Sequence, residues 1–376
     1  MNNWLEISDS ALASNFRVLD EAAGVATEVL AVVKANAYGH GAERCAEILT
    51  VAGAQWLGVT CADEGQRVRA AVGDAANIVI MSGFLSEDVA ILRDSRLVPV
   101  LWTPGHVVAL APLSGQKVHV EVDTGMSRQG VQPGADLAAF LVQIQAAGLV
   151  LDGIFTHFCS SEEADSALTR EQQVRFERAV AQVAEAGLRP RWVHAGNSST
   201  LDNPAKPTTW LATLAASINA RAMVRAGIAL YGFCLPIEGV AAAQVQAALE
   251  PVLTWKARVL SVRSLVPGDT VGYNATFTAD QAMRVALLPV GYADGLRREL
   301  SSTNARAGGW AMLRGQRAPI LGRVSMNLTV VDVSHIAEVQ PGDVAIILGP
   351  GICAADHARL AGTIVYEILC GLHPCN

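Results

Sequence analysis

A lysine closes an apolar run in Val29-Leu30-Ala31-Val32-Val33-Lys34, and small residues and glycines follow at once in Ala35-Asn36-Ala37-Tyr38-Gly39-His40-Gly41. The run reads as a buried parallel strand. An ammonium at the mouth of such a strand is partly desolvated, which disfavours its charged form and frees the amine as a nucleophile or base. Amines of this kind form Schiff bases with carbonyl compounds, pyridoxal phosphate among them. Two later segments carry groups suited to an anion. His194-Ala195-Gly196-Asn197-Ser198-Ser199 is a cluster of hydroxyls and small residues whose backbone amides can approach a phosphate, and Arg225-Ala226-Gly227-Ile228-Ala229-Leu230-Tyr231-Gly232 is a second small-residue turn beside an arginine.

These groups need a frame to bring them together. Ser8-Asp9 can cap a helix whose apolar positions Leu12, Phe16 and Leu19 share one face, and the strand bearing Lys34 follows. Short apolar runs then recur at 56–59, 78–81, 97–101, 118–122, 150–155, 192–195 and 223–225. Helix-period segments alternate with them, at 42–51, 87–93, 137–146 and 166–186. With the run at 29–33 this makes about eight strand-helix repeats, the number that closes a (β/α)8 barrel. An open doubly wound sheet would carry a G-x-G-x-x-G turn after its first strand, and none is present. In such a barrel the loops after the seventh and eighth strands commonly grip phosphate, and the two small-residue segments fall there.

After about residue 240 the texture changes. Runs at 251–263, 284–289, 319–324, 328–333 and 344–348 are split by Gly-Asp, Gly-Tyr and Pro-Gly turns, which reads as a β-rich second domain. The expected division is a barrel over 1–240 and a mostly-β domain over 241–376, joined through the Ala- and Gln-rich stretch 237–248.

Composition narrows the function classes. Apolar residues make up 51% and charged residues 17%, as in a folded globular chain, and the net charge of -7 comes without any basic stripe, which argues against nucleic acid or an anionic membrane as partner. Seven cysteines, Cys45, Cys61, Cys159, Cys234, Cys353, Cys370 and Cys375, show no C-x-x-C pair, so free thiols are expected and neither a disulfide frame nor a metal site is. No leader pattern and no spanning apolar run is seen, and a cytoplasmic protein is expected.

The segment around Lys34 resembles the pyridoxal-phosphate lysine motif of the alanine racemase family, and the likeness extends over nearly the whole chain. That resemblance implies a fold type III enzyme that racemises alanine with two bases and supplies D-alanine for peptidoglycan. Lys34 would carry pyridoxal 5'-phosphate and serve as one base. By the same resemblance Tyr38, Asn197, Ser198, the amides of Gly227 and Ile228, and Tyr366 would bind the phosphate, Arg225 would face the pyridine nitrogen, and His157 would stack on the ring. An arginine hardly ever shares its proton, so the ring nitrogen would stay unprotonated and the coenzyme a weaker electron sink, favouring return of a proton to the same carbon. Racemisation needs acid/base groups on both faces of the α-carbon. The second base would be Tyr273, in Val271-Gly272-Tyr273-Asn274-Ala275-Thr276, acting in the partner's site of a head-to-tail homodimer. Arg128, in Asp123-Thr124-Gly125-Met126-Ser127-Arg128, and the amide of Met326 would hold the substrate carboxylate, and Tyr292 matches the entrance region.

The chain departs from that family at particular places. Many members carry a carbamylated lysine where this chain has Glu121, a residue of the same sign that needs no CO2. The usual Met-Asp is Met326-Asn327, which admits serine or a wider set of amino acids as substrates, and the stretch 201–220 is longer than usual. Two other classes compete. A barrel that merely binds pyridoxal phosphate would lack the β-rich third of the chain. A decarboxylase of similar plan would set a carboxylate against the ring nitrogen where Arg225 stands.

Overall fold

The computed structural model describes residues 2–240 and 243–374, so Cys375 lies outside the described residues. By its internal contacts the chain divides into two units, one made of Asp9–Ala37 and Gly41–Glu250, the other of Met1–Ser8, Tyr38–His40 and Pro251–Asn376. The strand β1 (Asn3–Ile7) belongs to the second unit, so the barrel begins only after it.

The first unit is a closed parallel barrel of β2 (Thr27–Val32), β3 (Trp56–Val59), β4 (Asn77–Ile80), β5 (Val98–Leu101), β6 (Lys117–Glu121), β7 (Val150–Phe155), β8 (Trp192–His194) and β9 (Arg221–Ala226), with β2 pairing β9 to close the ring. The strands are short and almost wholly buried, which is why they read as continuous apolar runs rather than alternating ones. Helices cover the barrel. Asp9–Ala23 buries Leu12, Phe16 and Leu19 on one face, as its spacing requires, and Ala167–Glu185 is capped by Ser166. Further helices are Ala62–Val72, Pro104–Leu110 and Pro207–Ser217, the last lying within the stretch 201–220.

The second unit is one antiparallel sheet with a small ribbon. β10 (Leu253–Arg258), β11 (Ser261–Leu265), β12 (Thr270–Val271), β13 (Phe277–Thr278), β14 (Met283–Leu288), β15 (Trp310–Leu313), β16 (Gln316–Leu321), β17 (Thr329–Asp332) and β18 (Val344–Leu348) follow in order. The eight-stranded sheet runs β1-β10-β18-β15-β16-β17-β14-β11, and β12 pairs only with β13. Leu265, Val271, Ala279, Met283, Val285 and Leu321 form a cluster in this unit's core. The expected boundary at 240/241 therefore moves. The division falls at Glu250/Pro251, and the first eight residues join the β unit because β1 zips antiparallel onto β10 from Asn3↔Ala257 to Ile7↔Leu253. A terminal strand completing a sheet more than two hundred residues away leaves no local trace in the sequence.

Among the described residues no helix is long and apolar enough to cross a membrane, and no cluster of three or more His, Cys, Asp or Glu is placed to hold a metal.

Candidate active site

Lys34 stands directly beyond the carboxyl end of β2, half-buried. The backbone that follows it is unusual. Ala35, Asn36, Ala37 and Tyr38 all have φ between 52 and 54, a left-handed turn made entirely of residues with side chains. Each such residue costs roughly 1–2 kcal/mol, so the turn persists only if its surroundings hold it. They do. Val33 O accepts from Ala37 N at 2.9 Å, and Asn36 accepts from Gly41 N through its carbonyl and from Ala42 N through its side chain. Glu64 acts as a two-pronged clamp, its Oε1 accepting from Ala35 N at 2.9 Å and its Oε2 from Thr60 N at 2.7 Å.

Arg225 lies on β9, the strand paired with β2, and its guanidinium is buried. It donates to Thr156 O at 2.9 Å, to His157 Nδ1 at 3.0 Å and to His194 Nδ1 at 3.2 Å, and it lies over the Phe155 ring. A guanidinium only donates, so both imidazoles accept at Nδ1 and are held neutral, with the proton on Nε2. Burial and the cations Arg225, Arg128 and Lys34 push His157 down to about 2. His194 is likewise pushed well below its ordinary value by burial, His119 and Arg225. Arg225 itself comes down to about 10 through burial, which leaves it charged at neutral pH.

The phosphate-type elements also meet within the barrel unit. Ser198 opens a short helix capped by Asn197, whose side chain accepts from Thr200 N, and Ser198 Oγ accepts from Gly227 N at 3.0 Å and from Ala229 N at 3.2 Å. Two amide hydrogens after β9 thus converge on a hydroxyl after β8, which gathers the donor groups of both loops that an oxyanion could draw on. The cluster fits a phosphate chemically: small residues, neutral donors and no carboxylate among them.

Arg128 ends a loop built by Asp123, whose Oδ1 accepts from Gly125 N and Ser127 N and whose Oδ2 accepts from Gln132. The arginine is exposed. Glu121 sits buried on β6 and accepts from Gln129 Nε2, so its hydrogen-bond partner is a side-chain amide. Burial lifts its carboxyl to about 7, opposed by Gln129, Arg225 and Arg128. It is therefore not the fixed anion that its residue type suggests.

In the β unit, Tyr38 and Tyr366 face one another with ring centroids 6.0 Å apart. Burial, with Tyr366 and Cys370, holds the Tyr38 phenol above its ordinary value, so it remains a proton donor in hydrogen bonds. Tyr273 is 64% exposed on a turn in which Asn274 and Ala275 are left-handed. That turn is braced by close backbone packing: a Cβ on Gly272 would lie 2.9 Å from Arg323 N, and one on Gly322 would lie 2.5 Å from Val271 O. Tyr292 N donates to Ser325 O and Ala293 N to Met326 O, which joins the Tyr292 and Met326 segments.

Glu64, Asn36, Thr156 and His194 as a hydrogen-bond acceptor for Arg225 were not singled out by residue type and spacing. Glu64 is 29 residues from the amide it holds, in an ordinary amphipathic helix, and nothing local marks it.

The chain thus combines a (β/α)8 barrel, a half-buried lysine beyond its first strand, a cluster of small residues and backbone amides at its last two loops, and a separate antiparallel unit. Residues 7–234 match the family described as alanine racemase, N-terminal domain, and residues 252–375 match alanine racemase, C-terminal domain. Alanine racemases of Symbiobacterium thermophilum and Halothermothrix orenii are 36% and 33% identical to it, each alignment covering 98% of this chain and 94% of the relative. Among solved structures, an alanine racemase from Streptomyces coelicolor is 30% identical with a TM-score of 0.86, covering 99% of this chain and 96% of that one. One from Bartonella henselae with covalently bound pyridoxal phosphate is 27% identical with a TM-score of 0.83, covering 99% and 98%. The chain belongs to the alanine racemase family, and it is an isomerase of the racemase class.

Proposed function

We propose that this protein interconverts L- and D-alanine with pyridoxal 5'-phosphate held on Lys34. The observation that carries the reading is the lysine at the end of β2, on a backbone turn strained in its favour, within a chain that matches the family over both of its domains. When bound, that group supplies an aldehyde for an amine and a conjugated ring that withdraws electrons from the α-carbon.

The chain's own residues do the rest. Ser198, with Asn197 and the amides of Gly227 and Ile228, binds the phosphate, assisted by the phenols of Tyr38 and Tyr366. His157, neutral and tied to Arg225, packs on the ring. Arg225, its other donors occupied by Thr156 and His194, presents a charged donor to the ring nitrogen that cannot hand over its proton. Arg128 and the amide of Met326 orient the substrate carboxylate. The amine of Lys34 takes or gives a proton on one face of the α-carbon, and the phenol of Tyr273 does so on the other.

Tyr273 serves the partner's site in a head-to-tail homodimer. Its exposure supports this, as does that of Tyr292, Met326, Leu328 and Ile364 in the same unit, a set of apolar groups that a partner would cover. The two working domains are the barrel and the β-rich unit, the setting is cytoplasmic, and the D-alanine formed serves cell-wall synthesis; nucleic acid and membrane take no part. Chiral analysis of amino acids incubated with the purified, cofactor-loaded protein tests the reading. Alanine of either hand should approach a racemic mixture, and borohydride reduction followed by peptide mass analysis should leave the cofactor's mass on Lys34. A label on any other lysine, or no inversion of any amino acid, overturns it.

A further inference from the structure

Below Arg225 a polar column runs through the otherwise apolar barrel. His194 Nε2 lies 3.0 Å from His119 Nδ1, and His119 Nε2 lies 3.8 Å from Asp152 Oδ2. All are sequestered: His119 is 0% exposed, His194 1%, Arg225 5% and Asp152 6%. The four residues stand on β6, β7, β8 and β9, so the column crosses four consecutive strands.

Its direction is dictated at one end. Arg225 can only donate, so His194 Nδ1 accepts and His194 carries its proton on Nε2. His194 Nε2 then donates to His119 Nδ1, which forces the His119 proton onto Nε2 as well. That nitrogen lies 3.8 Å from Asp152 Oδ2, too long for a direct hydrogen bond but close enough for the carboxylate to favour a proton there. His119 Nε2 and Asp152 Oδ2 are both buried without a hydrogen-bond partner, and they lie 3.8 Å from one another. The column therefore ends on the one kind of group that can close it, an acceptor of negative charge.

The barrel is shaped to admit this column. The β6–β7 register shifts between Val118 and His119, a bulge at the histidine itself. Its register partner is Gly153, where a Cβ would lie 2.7–2.8 Å from His119 ring atoms, so any other residue would displace the imidazole. Trp56 packs 5.6 Å from the His119 ring and Phe155 stacks on His194 at 4.3 Å.

We propose that His119 and Asp152 are positioning residues for Arg225: the directed chain Arg225 to His194 to His119 to Asp152 holds the guanidinium in one orientation and both imidazoles in the Nε2–H tautomer. Neither residue touches the cofactor or the substrate. The kinetic half of the proposal rests on Arg225 facing the ring nitrogen; the tautomer half does not. A single-tautomer chain fixes the direction in which Arg225 donates, and loss of its far end loosens the near one.

The test is long-range proton–nitrogen NMR of the holoenzyme labelled with nitrogen-15 histidine, assigned with His119→Gln and His194→Gln, alongside steady-state kinetics. In the wild-type protein both imidazoles should be neutral Nε2–H tautomers from about pH 6 to about pH 9. Asp152→Ala should give His119 a mixed-tautomer pattern and lower kcat about tenfold, with KM for alanine changed less than about twofold. Asp152→Asn, which keeps an acceptor oxygen, should restore the tautomer pattern and most of kcat. A wild-type Nδ1–H form at either histidine overturns the chain, and that spectrum decides even if Asp152→Ala fails to fold. Tautomers as stated with an unchanged kcat in Asp152→Ala overturn the positioning role. Absence of cofactor from Lys34 in the wild-type protein is a different result, and it would refute the proposed function while leaving the tautomers to be read.

Discussion

Gln129 Nε2 donates both to the carboxyl of Glu121 and to the carbonyl of Met81, at 2.9 Å for the latter, and so ties a buried acid on β6 to the end of β4. The acid is held by an amide and titrates at about 7 because burial outweighs Gln129, Arg225 and Arg128. Unfolded, it would return to near 4.5. Between those values the folded chain binds more protons than the unfolded one, so Glu121 lowers stability as pH rises through this window and the loss is complete above it. Glu121→Gln should remove that slope, with a gain above pH 7 of at most about 3 kcal/mol, read from denaturant unfolding at several pH values. Equal slopes in the two proteins would show that folding leaves the ionisation of this carboxyl unchanged. Activity should not respond to added bicarbonate, since a side-chain carboxyl already stands in place.

Glu64 tests whether the left-handed turn after Lys34 is held from outside. Its two oxygens satisfy the amides of Ala35 and Thr60, and charge-assisted bonds of this kind contribute about 1.5–3 kcal/mol each. Glu64→Ala should release the turn, lowering the melting temperature and reducing the fraction of protein that binds cofactor at a fixed concentration, measured by absorbance of the bound group. Glu64→Gln, which retains one acceptor oxygen, should fall between. Full loading in Glu64→Ala would mean that the turn stands without the clamp.

Most of the barrel was legible because buried parallel strands are apolar along their length, and eight such runs with intervening helices leave few alternatives. Lys34 and the two small-residue segments stand out for the same reason, each following an apolar run at a strand end, whereas the part expected of Arg225 comes from the family resemblance alone. What could not be read was cooperation at a distance. β1 carries no strand signal of its own in Asn3-Trp4-Leu5-Glu6-Ile7, and only its pairing with β10 assigns it to the other unit. His119 and Asp152 look like routine polar residues in strands, and their meaning appears only when β6, β7 and β8 lie side by side. Glu121 was legible as a residue but not as a titration, because burial, not residue type, sets where a carboxyl ionises.

Gly153 follows from the same packing. An alanine there would place a methyl 2.7 Å from the His119 ring, inside a close-packed barrel with no room to yield. Gly153→Ala should destabilise the protein by about 1–3 kcal/mol, as overpacking does, and should perturb the His119 NMR signal. Wild-type stability with an unmoved imidazole signal would show that the strand can slide at the bulge.

The assignment of Lys34 and Tyr273 to different subunits has a consequence that single variants cannot reach. Lys34→Ala and Tyr273→Phe should each be nearly inactive, the first without covalently held cofactor and the second with it. Mixed and reassembled, they form hybrid dimers. If each site joins Lys34 of one chain to Tyr273 of the other, one site of the hybrid carries both lesions and the other carries none, so activity returns. If both residues act within one chain, every site in the hybrid stays broken and mixing restores nothing. With random reassembly about half the dimers are hybrids with one intact site each, so recovery should approach about one quarter of wild-type activity per site, the exposed position of Tyr273 being what makes the reach to a partner feasible. Recovery at the level of the unmixed variants, with hybrid dimers demonstrated by native mass spectrometry, would place the second base elsewhere.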